Sequence, residues 1–127
     1  MTQTSEAPAG TSLYERVGGG ERLRQILSDT IDAHLANPAI RTRFQRYDRN
    51  VLIERAFPFF AQATGGPVTY TGAGLRAVHE GMNISDAEFV AATDDLLGVL
   101  RKHGVGDHEQ QEVLAAFFAW KDELLHT

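Results

Sequence analysis

Apolar residues spaced three and four positions apart, in segments interrupted by glycine and proline, restrict this chain to a helical fold. Between residues 21 and 37 this spacing places five of them on one helix face: Leu23, Ile26, Leu27, Ile31 and Leu35. The same spacing returns at 51–63, 85–104 and 107–125. No segment shows the alternation typical of strands. The chain is therefore predicted to be all-α, with five or six helices of unequal length.

Helix ends are predicted where glycine and proline interrupt the spacing. Three glycines at 18–20 are expected to end a short turn capped by Ser12, with the next helix beginning directly after them. Asn37-Pro38 ends that helix, because the residue before proline is pushed out of the helical region. A glycine-rich loop at 65–74 then precedes a short helix at 75–80.

Capping signals predict where the last two long helices begin. Ser85 and Glu88 have the spacing of a capping box, in which each side chain bonds the other residue's amide. Asp107 is expected to cap the final helix. Pro58 lies inside the 51–63 segment, so a kink is expected there.

Length and composition indicate one globular domain. The 127 residues contain 43% hydrophobic and 23% charged residues, as is usual for soluble domains. Residues 1–11 are polar and lack aromatics, which predicts a disordered tail before a single domain at 12–127.

Several functional classes are disfavoured by composition. Cysteine is absent, which excludes disulfides, thiolate metal sites and cysteine nucleophiles. The net charge of −5 argues against a nucleic-acid partner, which needs a basic surface. No apolar run approaches the roughly 20 residues of a membrane helix, so no membrane partner is expected. With no signal peptide visible, a cytoplasmic location is predicted.

Polar residues by themselves define no catalytic site. None of the five histidines has metal-binding spacing, and His103 and His108 are expected to be exposed. Asp94 and Asp95 are interpreted as solvated helix surface, because adjacent helix positions do not face each other. A basic cluster is either surface or a site for anionic groups such as cofactor carboxylates. Its members are Arg41, Arg43, Arg46, Arg49 and Arg55.

Phenylalanine is more abundant than a small helical core needs, which leaves two explanations. Either the aromatic rings fill the centre by themselves, or a flat apolar cofactor helps to fill it. The rings concerned are Phe57, Phe59, Phe60, Phe89, Phe117 and Phe118.

A series of short motifs follows along nearly the whole chain. They are Leu13-Tyr14-Glu15-Arg16-Val17-Gly18-Gly19, Leu35-Ala36-Asn37-Pro38, Phe44, Gly65-Gly66-Pro67 with Tyr70-Thr71-Gly72, Leu75-Arg76-Ala77-Val78-His79, and Ile84-Ser85 with Phe89. In this order and spacing the chain resembles the truncated haemoglobins, most of all the first of that family's three groups. The resemblance implies a two-over-two helical sandwich, a trimmed globin fold, that encloses haem b.

The same resemblance assigns roles to individual residues. It implies that His79 is the proximal iron ligand through Nε2, and that Phe44 packs against the porphyrin. Further pocket walls would come from apolar residues whose alternative is plain helix–helix core: Phe59, Leu75, Ile84, Phe89, Ala92 and Leu96. The haem propionates would be bound by three residues whose alternative is exposed surface: Arg55, Tyr70 and Arg76. His34 is not expected to bind iron.

The distal side departs from the pattern of the first group. That group usually has Phe-Tyr in the second helix, where this chain has Thr30-Ile31, and glutamine in the distal helix, where this chain has Leu52 and Ala56. We therefore predict an apolar distal pocket and, without a distal histidine or lysine, a five-coordinate ferrous iron. Three side chains are candidate donors to a bound ligand: Thr30, Tyr47 and Arg55.

The function implied by the resemblance is reversible binding of a diatomic gas, namely O2, CO or NO. Loss of a distal hydrogen bond predicts fast oxygen release and easy autoxidation. The alternatives are an enzyme, either a nitric oxide dioxygenase or a weak peroxidase, and then a haem-based sensor or redox protein, or a helical interaction module without haem. A reductase partner of unknown identity and a monomer or weak dimer are expected.

Overall fold

The computed structural model describes residues 11–126, so the predicted tail lies outside the described residues except for Thr11. Within them the chain is all-α, as predicted, with one isolated parallel bridge between Ile84 and Leu125. The helices are α1 (Leu13–Arg16), α2 (Gly19–Ala36), α3 (Arg41–Phe44), α4 (Arg49–Ala63), α5 (Leu75–His79), α6 (Asp86–Lys102), α7 (Asp107–Ala119) and α8 (Lys121–Leu124). The predicted count of five or six was wrong, because three helices have only four residues and the last segment is divided.

The triple glycine does not end a helix in the predicted way. Ser12 caps α1 as expected, but α2 already begins at Gly19, after Gly18 in a left-handed conformation with φ of +117°. Gly20 lies inside α2, where a Cβ would approach the Tyr14 hydroxyl to 2.4 Å. The glycines therefore serve two purposes, since they turn the chain and also make room for the Tyr14 ring.

Helix α2 is the centre of the fold and packs against α4 and α6. Towards α6 it buries Ile26 in a cluster that includes Leu96 and Leu100. Towards α4 it buries Leu23 and Leu27 in a second cluster with Ala61. Each fully buried aliphatic side chain contributes about 1.5 to 3 kcal/mol to stability. Because α6 also packs on α7, the helices form two pairs, α2 with α4 and α6 with α7.

Most predicted helix ends are confirmed. Helix α2 ends at Ala36, directly before Asn37-Pro38. Helix α6 begins with the predicted capping box, in which the Glu88 amide donates to Ser85 Oγ at 3.1 Å. Helix α4 continues through Pro58 to Ala63.

The end of the chain differs from the prediction in two respects. Gly106 is the cap of α7 and Asp107 is its first helical residue, so the predicted aspartate cap was wrong. The final segment is also divided at Trp120, whose indole lies 5.3 Å from the ring centroid of Phe59 and 5.5 Å from that of Phe117. This aromatic packing, which a local pattern does not reveal, accompanies the turn from α7 into α8.

No helix within residues 11–126 combines the length and apolarity that a membrane crossing needs.

Candidate functional site

His79 is the last residue of α5, and the helix itself orients its ring. The Nδ1 atom lies 2.8 Å from the carbonyl oxygen of Leu75, to which it must donate because a carbonyl only accepts. With the proton on Nδ1, the lone pair of a neutral imidazole lies on Nε2. Histidines that bind metals commonly use their second nitrogen in this way. The half-buried His79 side chain therefore fits an axial ligand that binds through Nε2.

The C-terminal segment holds the short helix α5 in place. Helix α5 packs against α8, and Arg76 Nη2 donates to the carbonyl oxygen of Asp122 at 3.2 Å. After α5, the carbonyl of Ile84 accepts from the His126 amide at 3.0 Å, next to the bridge with Leu125. A helix of five residues is marginal by itself, so these contacts are what position His79.

The apolar residues predicted to line a haem divide into two groups. Phe89 and Leu96 are buried, and Leu96 belongs to the cluster shared by α2 and α6, as the helix–helix alternative describes. The remaining side chains are only half-buried and belong to neither core cluster: Phe44, Leu52, Phe59, Leu75, Ile84 and Ala92. Half-buried apolar side chains are typical of the walls of a site that an apolar group completes.

Two of the helices that carry these half-buried side chains, α4 and α5, pack on different partner helices. Helix α4 packs mainly on α2, and α5 packs on α8, while α4 and α5 share little direct contact. The half-buried apolar side chains of α4 and α5 and the oriented imidazole would suit a flat apolar group whose metal the imidazole would hold. The described residues contain no cluster of three metal-binding side chains, so a metal here would depend on one imidazole and its prosthetic group.

Two surface cavities in the described part of the chain lie elsewhere, along α2, with volumes of about 500 and 470 Å³. Neither is lined by a residue predicted to contact haem. The larger is an acidic groove between α2 and α6, lined by Asp29, Asp32, Ala33, Asp94, Asp95, Gly98, Val99 and Lys102.

The residues at the predicted distal positions offer no donor. Thr30 is buried, and its hydroxyl donates to the carbonyl oxygen of Ile26 at 2.7 Å. A hydroxyl has a single hydrogen, so this bond occupies the Thr30 donor. The side chains of Ile31, Leu52 and Ala56 are hydrocarbon.

The other two candidate donors lie nearer the surface. Tyr47 is 48% exposed, and the Arg46 guanidinium lies 5.4 Å from the centroid of its ring. Arg55 is exposed on α4. Of the remaining propionate candidates, Tyr70 packs edge-on against Phe59 at 5.4 Å, and its hydroxyl donates to the carbonyl of Ala73 at 2.6 Å.

Two arginines of the basic cluster are used in ion pairs within the protein. Arg43 donates to both carboxylate oxygens of Glu88, at 2.7 and 3.0 Å, and to the carbonyl of Met82 at 2.7 Å. The adjacent guanidinium lowers the pKa of Glu88 to about 2. Arg49 donates to both oxygens of Asp32, at 2.6 and 3.0 Å. The other three arginines of the cluster are exposed: Arg41, Arg46 and Arg55.

Sequence reasoning missed a polar network at the end of α2. His34 Nδ1 lies 2.9 Å from Asp95 Oδ2, and Asn37 Nδ2 donates to both Asp95 oxygens at 3.1 and 3.2 Å. The interpretation of Asp95 as solvated surface was therefore wrong, although Asp94 is exposed. The signal is not local, because the two paired residues are 61 positions apart.

One further prediction about histidines was wrong. His103 was expected to be exposed, but its side chain is only 14% exposed and its Nε2 lies 2.8 Å from Asp29 on α2. His108 is exposed, as predicted.

Comparison with known proteins agrees with this architecture. A family model described as bacterial-like globin matches residues 12–125. The group 1 truncated haemoglobin of Mycolicibacterium paratuberculosis is 33% identical over 105 residues, which cover 83% of this chain and 77% of that protein. A group 1 truncated haemoglobin of Tetrahymena pyriformis is 26% identical over 76% of this chain and 79% of its own length.

Solved structures share the fold. The truncated haemoglobin of Tetrahymena pyriformis in its Fe(III) form matches with a TM-score of 0.87 and 23% identity, over 92% of this chain and all of that chain. The 2/2 haemoglobin of Synechococcus sp., in the cyanomet state with covalently attached haem, matches with a TM-score of 0.78 and 24% identity, over 84% of this chain and 90% of that chain. The chain belongs to the bacterial-like globin family and is a truncated haemoglobin, a haem globin that binds diatomic ligands.

Proposed function

We propose that this truncated haemoglobin binds a diatomic gas reversibly at a five-coordinate ferrous haem b iron held by His79, in a distal pocket without a hydrogen-bond donor. The bound haem supplies the iron site that the gas occupies. The observation that carries the proposal is the distal set itself, in which the Thr30 hydroxyl is already bonded to Ile26 and the other matched side chains are hydrocarbon.

His79 acts through the position of its ring. Its Nδ1 proton is held by the Leu75 carbonyl, which selects the tautomer with a basic Nε2 and limits ring rotation. The described distal positions offer no imidazole or amine at Ile31, Leu52 or Ala56, so none of these side chains would compete with the gas for the iron.

The distal side chains affect gas binding because they provide no hydrogen-bond donor. A donor beside bound oxygen stabilises its partial negative charge, and a net hydrogen bond contributes about 0.5 to 1.5 kcal/mol. Because about 1.4 kcal/mol corresponds to a tenfold change in affinity, oxygen should be released about twofold to tenfold faster than from a pocket with a donor. Carbon monoxide develops less charge and depends less on a donor. The apolar pocket therefore weakens discrimination in favour of oxygen.

Charged residues at the surface complete the proposed site. Arg76 uses one N–H for the Asp122 carbonyl, and a guanidinium has five, so the others can still bind a carboxylate. Arg55 is exposed on α4, and Tyr70 lies beside Phe59. We assign the haem propionates to Arg55 and Arg76, because the single hydroxyl hydrogen of Tyr70 is already donated to the carbonyl of Ala73.

An enzyme that converts nitric oxide and oxygen to nitrate is a weaker candidate. Such turnover needs an oxygen complex that persists until nitric oxide arrives, and a pocket without a donor shortens its lifetime. Mixing the oxygen-bound protein with nitric oxide in a stopped-flow instrument distinguishes the two functions. Stoichiometric nitrate at a near-diffusion rate would favour the enzyme.

The proposal is tested by placing a donor at position 31. Ile31→Tyr places a hydroxyl at a buried distal position and should slow oxygen dissociation about twofold to tenfold, the value of one hydrogen bond. The matched control, Ile31→Phe, adds the ring without the hydroxyl. Stopped-flow displacement of oxygen by carbon monoxide measures both rates. Equal dissociation rates in the two variants would show that position 31 does not face the bound gas.

A further inference from the structure

His34 and Asp95 form a buried pair that the gas-binding proposal does not use. The His34 residue is 7% exposed, and its Nδ1 donates to Asp95 Oδ2 at 2.9 Å. Asn37 donates to both oxygens of the same carboxylate, which leaves Asp95 well satisfied despite its partial burial. Burial lowers the pKa of His34, so the ring is neutral at neutral pH and its proton is held on Nδ1.

The His34 ring also packs on Phe44. The two ring centroids are 4.7 Å apart and the planes differ by 26°, which is a stacked arrangement. Phe44 is the last residue of the four-residue helix α3, whose described residues include no buried side chain. Such a short helix fixes its side chains poorly by itself, so the stack on His34 is a major restraint on the Phe44 ring.

These contacts form one chain of restraint across three helices. Asp95 on α6 fixes the plane of the His34 ring on α2, and that ring fixes the plane of Phe44 on α3. A purely apolar residue at position 34 could fill the same space, and replacing buried polar pairs by apolar residues is often neutral for stability. An apolar residue at position 34 would lack the directional hydrogen bond to Asp95, which sets the angle of the His34 ring.

We propose that the His34–Asp95 pair is a positioning device that holds Phe44 against the distal face of the haem and so limits the rate of haem loss. The proposal rests on the proposed function, because that function places Phe44 beside the porphyrin. His34 does not touch the gas or bind iron in this account. It is a positioning residue that acts through Phe44.

The test measures transfer of haem from the ferric holoprotein to an excess of apomyoglobin. His34→Ala removes both the stack and the bond and should speed haem loss at least about twofold to tenfold, the value of one aromatic pair. His34→Phe restores a ring without the bond and should recover only part of the retention. Asp95→Asn keeps an oxygen that accepts from Nδ1, so it should lose haem at nearly the wild-type rate. Asp94→Asn, at the exposed neighbour, is the matched control.

A second measurement separates positioning from a general loss of stability. Urea unfolding of each variant after removal of haem reports the helical scaffold without its prosthetic group. The proposal is supported if His34→Ala loses haem faster than wild type and His34→Phe recovers part of the difference. Both effects must exceed what the stabilities of the haem-free variants explain. Haem loss at the wild-type rate from His34→Ala, or full recovery in His34→Phe, would overturn it. If the wild-type chain takes up no haemin at all, the proposed function itself fails, which is a distinguishable result.

Discussion

The ion pair between Arg43 and Glu88 connects the corner after α2 to the start of α6, and its contribution should be measurable against pH. Arg43 donates to both carboxylate oxygens of Glu88, at 2.7 and 3.0 Å, and also to the carbonyl of Met82, three residues after His79. Glu88 additionally accepts from the Ser85 amide at 2.9 Å as part of the capping box. The bonds that Glu88 accepts from the Arg43 guanidinium and the Ser85 amide favour the charged carboxylate, which is why the pKa of Glu88 falls from 4.5 to about 2.

The magnitude follows from that pKa. A fall from 4.5 to about 2 corresponds to roughly 3 kcal/mol as an upper bound. The side chains are 28% and 22% exposed, so solvent screening reduces the expected contribution to about 1 to 2 kcal/mol. A carboxylate whose pKa is lowered in the folded state stabilises the protein fully above pH 4.5, which is the pKa of Glu88 in the unfolded chain. That stabilisation is lost progressively as the pH falls from 4.5 towards 2.

Glu88→Gln tests this reasoning because glutamine can keep the capping box while removing the charge. At pH 7 the variant should unfold with a free energy about 1 to 2 kcal/mol lower than wild type, and the difference should shrink between pH 4.5 and 3. Urea unfolding followed by circular dichroism measures both. The matched control is Glu15→Gln, which occupies the same position in the capping box of α1. Equal losses in both variants, or a difference that persists unchanged at pH 3, would refute the assignment to the Arg43 pair.

Replacing glycine by alanine at two positions should change the stability of the protein in opposite directions, which thermal unfolding measures. Gly98→Ala, inside α6, adds a Cβ that meets no atom within 4 Å, so it should stabilise the protein by about 0.5 to 1 kcal/mol through helix propensity. Gly66→Ala brings a Cβ within 2.6 to 2.8 Å of the Tyr14 ring and should destabilise by about 1 to 3 kcal/mol. A shift of the same sign in both variants would contradict the packing around Tyr14.

Local signals in the sequence predicted much of the fold. The Ser85–Glu88 capping box and the Asn37-Pro38 stop act within a few residues, so a linear pattern contains all the information they need. The apolar face of α2 was predicted for the same reason, since spacing along one helix sets which side chains it buries. The glycine-rich loop predicted at 65–74 likewise lies between two helices, α4 and α5.

What could not be predicted depends on residues distant in sequence. Nothing near Asp95 indicates that His34 lies opposite it, because that contact exists only once α2 and α6 have packed. Position 20 lies inside a helix where a side chain would collide with the Tyr14 hydroxyl, and this reason for a glycine there is not visible in the local pattern. The break at Trp120 likewise accompanies aromatic contacts with α4 and α7. Each is a tertiary effect that overrides the local preference.

Under the proposed function, the His79 imidazole is the single protein ligand of a ferrous haem iron. The most direct measurement is the absorption spectrum of the purified ferrous protein before and after carbon monoxide, for wild type, His79→Ala and the control His108→Ala. We predict a five-coordinate spectrum that changes fully with carbon monoxide in wild type and in His108→Ala, whose ring is exposed. His79→Ala should lose this spectrum and regain it when imidazole is added. A six-coordinate spectrum in the ligand-free wild type, or an unaltered spectrum in His79→Ala, would contradict the account.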